Sequence, residues 1–593
     1  MAKKFKLISN FEGYSTKPDK TNTNIRHLVS GSQNVLINDA EKVSTRGGYT
    51  VYGAENSATT PIESSFEWSN HLGNEWALRG YDDELEFYAG TIDGVEFNAW
   101  TRLKDGWSSV AFQFTTWWDT SEAIDLLLFV AQDSNIYDWS GGVTSLASAT
   151  SNSLTKNGSD TWGAAGFLTA GTRKVVINGT EYTYTGGEGT TTLTGVTPDP
   201  SGEAADSLVF QAVRTNSNQP ASGLTNDIIE TLNNQVYVGD VTSREVYVSK
   251  NTSFTDYTFS SPRVPGEGAL LTLDNAVIGF VPQEDDMYVT AGKDDWYRTN
   301  FTLSDDNTKE ILTIKKLKSA TQQAAQSQGM IAKIKNAIVF ISNEPTLDQL
   351  GRIENIDTPQ AIPISDPIKP DFDNETFTNA HIKFWRNKIY IATPTNDKLY
   401  IYDVQKGFWQ PPQILPVRRL SIIGGELYGH SSRVPETYKL FDGTNDNGNP
   451  FTAKATFAYR NFGTRANLKN FSEYFTEGYI AQNTKITLIL RYELDGSEQE
   501  LEYDINGQDS ALIFQSLADE SLGSNPLGDV PLGGSGENTD ALPKFRIINI
   551  VPRSDFYEIQ AEYKIDATDY QFEILSHGPA VALSKQQPTS IKK

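Results

Sequence analysis

The sequence predicts an all-β fold: a β-propeller of six or seven blades, with a small inserted β-domain and a C-terminal β-sandwich. Three observations predict it. A short apolar strand recurs at Gln235–Gly239, Asp286–Thr290, Ile338–Ser342 and Lys388–Ala392, with aromatics at 237, 288, 340 and 390, steps of 51, 52 and 50 residues. Each copy sits among similar neighbours. A shorter apolar strand precedes it, often across an Asn turn (Ile228–Leu232, Ile331–Ile334, Ile382–Trp385), and Asn tolerates the left-handed backbone of such turns. Beyond Phe451 the period stops and plain alternation takes over. A fixed repeat of 40–50 residues made only of strands is the signature of propeller blades, and four strands of about 5–6 residues with loops of about 4–6 fill such a unit.

The series extends upstream through Leu127–Ala131 and Trp76–Leu78, with 51 residues from Leu78 to Phe129. From Phe129 to Tyr237 the step is 108, which becomes 44 when the 64 residues Ser151–Arg214 are set aside. Glu426–Tyr428 is a weaker further copy. Third strands are read at Glu84–Tyr88, Asn135–Trp139, Glu245–Ser249, Trp296–Phe301, Leu399–Tyr402 and Tyr438–Phe441, and a fourth at Ser253–Phe259.

In chain order, residues 1–60 read as an N-terminal arm and closing hairpin. Gly13–Asn24 is polar and turn-rich; Gln33–Ile37 and Gly48–Tyr52 read as strands around a turn at Asp39–Lys42, placed to close the propeller ring. Residues 61–150 hold the first part of the propeller, with Trp107, Trp117, Trp118 and Trp139 either in its core or as a sugar-stacking platform. Residues 151–214 are the inserted domain, marked by the Lys174–Thr185 hairpin with Asn178-Gly179 at its turn. Residues 215–445 are the second part of the propeller, with Ser319–Gly329 as one short helix.

Residues 446–593 alternate over Phe451–Tyr459, Phe475–Ile480, Lys485–Tyr492, Glu498–Ile505, Lys544–Val551, Tyr557–Tyr563 and Gln571–Leu575, a sandwich of about seven strands. It is interrupted by Ala518–Pro543, a Gly-, Pro- and acid-rich loop that buries too little apolar area to order itself. That loop is expected to be a surface loop, or one ordered by a neighbouring subunit or lining a tube.

The 593 residues carry a net charge of −25 and no cysteine. The charge argues against a nucleic-acid binder, which needs cations to displace counterions. The missing cysteine excludes disulfides, thiolate nucleophiles and Cys-based zinc sites together. No apolar run reaches membrane-spanning length, and no signal core follows the basic Met1–Lys6, so export by a signal of its own is not expected.

Little points to chemistry. His27, His71, His381, His430 and His577 lack metal spacing. There is no nucleophile elbow and no P-loop. Asp285-Asp286 and Asp294-Asp295 say little in so acidic a chain. Asp442–Pro450 half-resembles a calcium loop, but Ala453 stands where the closing Glu belongs, leaving a site at Asp442 and Asp446 open. No catalytic, cofactor-binding or metal residue is assigned, no cofactor is expected, and the chain reads as a non-enzyme.

Gly31–Leu36 (GSQNVL) with Ser44–Tyr49 (STRGGY), the passage Tyr438–Gly448 running into a sandwich, and the inserted Gly166–Pro200 module resemble tail proteins of double-stranded DNA phages. The family is the tail nozzle, or tail tubular protein B, of short-tailed phages, and the likeness runs loosely from Ser30 to about Ile480. The resemblance implies a virion structural protein, assembled in the host cytoplasm as a homo-hexameric ring. That ring would extend the DNA-exit channel below the portal and adaptor and dock tail fibres or spikes. It also implies no catalytic residues, and DNA passing through without specific binding, which suits an acidic wall. The alternative is a receptor- or glycan-binding tail-tip protein.

Overall fold

The computed structural model describes the chain apart from residues 1–3, 18–24, 54–58, 172, 218–219, 221–223, 305–306, 318–323, 335–336, 345, 352–360, 462–468, 481–483, 495–496, 507–543, 566–571 and 584–593. The loop Ala518–Pro543 and the tail Ser584–Lys593 therefore lie outside the described residues.

Seven antiparallel sheets form a closed ring. The first blade is Ser64–Ser69, Glu75–Tyr81, Glu84–Ile92 and Val95–Lys104; the second is Gln113–Asp119, Ile124–Val130, Ile136–Trp139 and Arg214–Asn216. The third runs from Ile228–Leu232 out to Ala269–Thr272, the fourth from Val277–Gln283 to Glu310–Leu317, and the fifth from Ile331–Ile334 to Ala361–Pro363. The sixth runs from His381–Trp385 to Lys398–Asp403, edged by Phe408–Trp409 and Gln413–Ile414. The seventh takes Val417–Ile423, Glu426–Ser431 and Thr437–Leu440 from one end of the chain and Tyr49–Val51 from the other. Each innermost strand contacts the innermost strands of the blades on either side, and Val417–Ile423 meets Ser64–Ser69 to complete the circle.

The repeat seen in the sequence is the second strand of each blade. Tyr237, Tyr288, Phe340 and Tyr390 lie on second strands of four successive blades and are 0–8% exposed. Such strands are covered by a neighbouring blade on each face, so they are apolar throughout rather than alternating. The Trp296 and Phe340 rings, 5.1 Å apart, join the fourth and fifth blades in this way. In the third, sixth and seventh blades the turns into the second strands take two residues with positive φ: Asn233-Asn234, Arg386-Asn387 and Gly424-Gly425. That is the twist-matched hairpin geometry.

Several expectations need correction. The partner of Val35–Ile37 is Val43–Thr45, not Tyr49–Val51; the first hairpin leaves the propeller and joins the C-terminal sandwich, and Tyr49–Val51 closes the ring alone. The third blade's outer strand is Ala269–Thr272, and Ser253–Phe259 is a loop. In place of a helix over Ser319–Gly329, a single 3-10 turn covers Gln328–Met330, with 318–323 outside the described residues.

The inserted sheet starts at Val143 and ends at Gln211, ordered Thr180–Thr183, Lys174–Ile177, Leu208–Gln211, Val143–Thr150, Ser153–Lys156 and Thr192–Thr194. It has its own core around Trp162, Tyr184 and Leu193. Val143, Val176 and Phe210 also pack with Phe87 and Trp139 of the first two blades. Arg214 belongs to the second blade, 2.6 Å from the buried Asp138.

The sandwich stacks two sheets. One holds Val35–Ile37, Val43–Thr45, Phe572–Leu583, Lys469–Ile480 and Lys544–Phe556, with Lys4–Phe5 added to Phe572–Leu583. The other holds Ala453–Thr456, Ile559–Ile565, Lys485–Leu494 and Ser497–Asn506. Between them Tyr563 meets Thr476 at 2.8 Å, and within the first sheet Tyr474 meets His577 at 2.5 Å.

Candidate functional site

The propeller axis is a cavity of about 890 Å³, lined from every blade by the starts of the innermost strands. Its charged groups are Glu63, Asp227, Glu230, Lys333, Lys383 and Arg419, the last four at corresponding places near the middle of those strands. Lys383 of the sixth blade forms an ion pair with Glu67 of the first, reaching past the seventh. Arg418 of the seventh blade pairs with Glu63, just before the first. The neighbouring Arg419 donates to the Glu63 carbonyl at 2.7 Å and the Asn379 carbonyl at 3.0 Å. These contacts tie the sixth, seventh and first blades together where the ring closes.

The opposite wall is held more lightly. Thr115 of the second blade donates to Glu230 of the third at 3.0 Å, as does the Thr231 amide. Burial in the wall raises the Glu230 carboxyl to about 7, against the pull of those hydrogen bonds and of Lys333. Gln328 copies a strand with its side-chain amide, accepting from the Phe280 amide at 2.7 Å and donating to its carbonyl at 3.0 Å. The volume is that of a small-molecule pocket. Duplex DNA, whose major groove alone is about 12 Å wide, does not pass along it.

Behind the axis, His430 is fully buried between the Ser421 hydroxyl at 2.7 Å and the Thr437 hydroxyl at 3.1 Å. Burial, with Arg79, Lys383 and Arg419 nearby, lowers its imidazole to about 3. Arg79 is itself buried, paired with Glu86 at 2.7 Å and lying 4.1 Å over the Trp100 ring.

The second place of interest is the junction of propeller and sandwich. Gln410 pairs both ways with the Ile37 backbone, accepting at 2.7 Å and donating at 2.9 Å. Gln413 donates to the Val35 carbonyl at 3.0 Å. Asn34 accepts from the Ile414 amide at 2.7 Å and donates to the Thr452 carbonyl at 2.8 Å. Arg46, with a fully buried side chain, grips both oxygens of Asp446 at 2.7 and 2.6 Å and lies 3.8 Å over the Phe451 ring. Gly48 and Tyr49 donate their amides to the Gly443 and Asn445 carbonyls at 2.9 and 3.1 Å.

The residues singled out in the sequence fall into place around these features. Asp446 is held by Arg46, and Asp442 accepts from Thr50 at 2.8 Å, so both carboxylates serve contacts within the chain at the end of the propeller. Asp286 pairs with Arg298, and Asp295 with Lys316, inside the fourth blade. Trp107, Trp117 and Trp139 are buried in blade cores and offer no stacking platform; Trp118 is 37% exposed. His381 and His430 lie close enough to interact, but among the described residues no three His, Cys, Asp or Glu side chains gather as a metal site. The axial ion pairs and the Arg46 clasp were not anticipated. They join strands far apart in the chain, and no local spacing announces them.

The ring of seven antiparallel sheets, six of four strands and one of five, makes this a β-propeller protein. No family model and no curated protein matches the chain. Among solved structures it is similar to the computationally designed Ika8 protein, at 11% identity over 66% of this chain and 99% of that one, TM-score 0.31. It is similar to the WD40 propeller domain of Doa1, at 11% over 66% and 97%, TM-score 0.33. It is also similar to BBS1N in complex with ARL6DN, at 12% over 67% and 98%, TM-score 0.32. No helix among the described residues is long and apolar enough to cross a membrane.

Proposed function

We propose that this chain is a virion structural protein, the nozzle of a short-tailed double-stranded DNA phage. In this reading six copies form a ring that extends the DNA-exit channel below the portal and adaptor and carries fibres or spikes. One observation carries the proposal. Ser44–Tyr49 and Tyr438–Gly448, nearly 400 residues apart and both part of the family likeness, pack against each other as one joint between propeller and sandwich. A likeness scattered by chance along the chain has no reason to meet in one place.

The charge of −25 supports the same reading, because a channel that releases DNA must not hold it. The propeller axis is too small for a duplex, so the DNA would run between copies. The chain then works as an assembly part and carries out no catalysis.

The test is electron microscopy of the purified protein mixed with its adaptor. Six-fold rings, in place of the 65.6 kDa monomer, are the expected result. Monomers that stay unassembled with adaptor present, or rings of another symmetry, would overturn the reading.

A further inference from the structure

The chain carries a net charge of −25, yet one wall of the axial cavity holds more positive charge than it uses. The fifth, sixth and seventh blades build that wall, and their innermost strands Ile331–Ile334, His381–Trp385 and Val417–Ile423 touch one another in turn. Lys333 is exposed on the cavity lining, and among the described residues its ammonium has no hydrogen bond and no ion pair. Arg419 spends Nε and Nη1 on two neutral carbonyls, those of Glu63 and Asn379, and its Nη2 has no acceptor among the described residues. Burial, with Arg418 beside it, lowers this guanidinium to about 10 against the pull of Glu63. His381 accepts the Leu420 amide on Nδ1 at 3.2 Å. The ring proton of the neutral imidazole therefore sits on Nε2, which has no acceptor among the described residues. Gly329 keeps the space beside both side chains open: a methyl group there would lie 3.5 Å from His381 Cδ2 and 3.7 Å from Arg419 Nη1.

The carboxylates around the axis do not answer these donors. Glu63 is held by Arg418, and Glu67 by Lys383. On the facing wall Asp227 accepts the Val241 amide at 2.9 Å, and Glu230 accepts from Thr115 and from the Thr231 amide. Neither makes an ion pair with Lys333 among the described residues. A guanidinium withdrawn from water without a counter-charge is costly, and a charge-assisted bond to an oxyanion is the strongest contact open to it. We propose that the propeller axis binds a small molecule through a phosphate or carboxylate group, held by Lys333, His381 Nε2 and Arg419 Nη2. The cavity of about 890 Å³ has the size of a metabolite pocket. The site is built within one chain, so it stands or falls apart from the proposed ring.

Isothermal titration calorimetry of the full chain tests this, with inorganic phosphate and succinate as probes at constant ionic strength. One equivalent of at least one probe is expected to bind with a Kd below about 1 mM. Tighter phosphate marks a phosphate ligand, and tighter succinate a carboxylate one. Lys333→Met should weaken binding about tenfold or more, and Lys333→Arg should keep most of it. Lys309→Met removes the same charge from the exposed turn of the fourth blade's outer hairpin and should change nothing. Lys333 ties down no other side chain, so Lys333→Met is expected to melt like the unmodified chain; Lys333→Gln serves if it does not fold. Neither probe binding at about 10 mM, an affinity unchanged in Lys333→Met, or equal losses in Lys333→Met and Lys309→Met would overturn the proposal.

Discussion

Arg46 and Asp446, 400 residues apart, form a two-pronged ion pair at the point where propeller and sandwich meet. The Arg46 side chain is fully buried and also donates to Asn34. Removing its carboxylate leaves a buried guanidinium short of a counter-charge, which costs about 3–5 kcal/mol. Asp446→Ala is therefore expected to lower the urea midpoint strongly. Replacing both partners, Arg46→Met with Asp446→Ala, should cost less than Asp446→Ala alone. Equal midpoints for Asp446→Ala and the unmodified chain would show that the pair holds nothing together.

His430 gives a pH dependence with a definite sign. Its folded pKa, about 3, lies below the unfolded value of about 6.5. The stability it contributes is fully present above pH 6.5 and is lost as pH falls toward 3. At pH 5 the loss is about 2 kcal/mol. Denaturation at pH 7.5 and pH 5 should show a smaller drop for His430→Gln than for the unmodified chain. Parallel drops would mean the imidazole takes up no proton on unfolding.

Glu230 works in the opposite direction. Its carboxyl is raised to about 7, above the unfolded value of about 4.3. The folded state holds the proton, so stability is lost as pH rises from about 4.3 through 7. Allowing for solvent reaching the side chain through the axis, Glu230→Gln should stabilise by about 1–2 kcal/mol at pH 8 and by nothing at pH 4. A variant less stable than the unmodified chain at pH 8 would mean that the charged form is the one the wall favours.

The inserted sheet makes its own prediction. Excising Ser151–Arg214 cuts the second blade's outer strand at its first residue, strips Asp138 of Arg214 and leaves Val143–Thr150 without its partners. This variant is expected to be insoluble. A cut joining Gly142 to Gln211 through a short linker keeps the blade, since the Gln211 amide already bonds the Gly142 carbonyl at 2.8 Å. It still uncovers Phe87 and Trp139, so a soluble product with a lowered melting temperature is expected. Full solubility of the Ser151–Arg214 deletion would contradict this account of where the insert begins.

The propeller was legible because its central strands are covered on both faces, and that condition writes Tyr237, Tyr288, Phe340 and Tyr390 into the sequence at nearly equal steps. The outer strands were not, because a strand with one neighbour needs few apolar residues. Ala269–Thr272 buries only Ala269 and Leu271, and Ser253–Phe259 looked as good. Val43–Thr45 has a single apolar residue, which is why its pairing with Val35–Ile37 was assigned to Gly48–Tyr52. At the junction, Asp446 was read as part of a half-formed calcium loop. A carboxylate awaiting a guanidinium and one awaiting a cation look alike until the fold supplies Arg46.

The closing strand Tyr49–Val51 also sets a clock. It is made before every other propeller strand, yet its strand partner among the described residues, Thr437–Leu440, leaves the ribosome last of them all. At about 5–20 residues per second that wait is roughly 20–80 s. The hairpin Val35–Ile37/Val43–Thr45 can pair within itself, but Val43–Thr45 waits longer still for Phe572–Leu583. The closing strand must therefore travel without its ladder partner while six blades are synthesised, and the ring locks only once Thr437–Leu440 has been made. A stalled or truncated chain would carry an open seam, which the cell's proteases could tell from a finished ring.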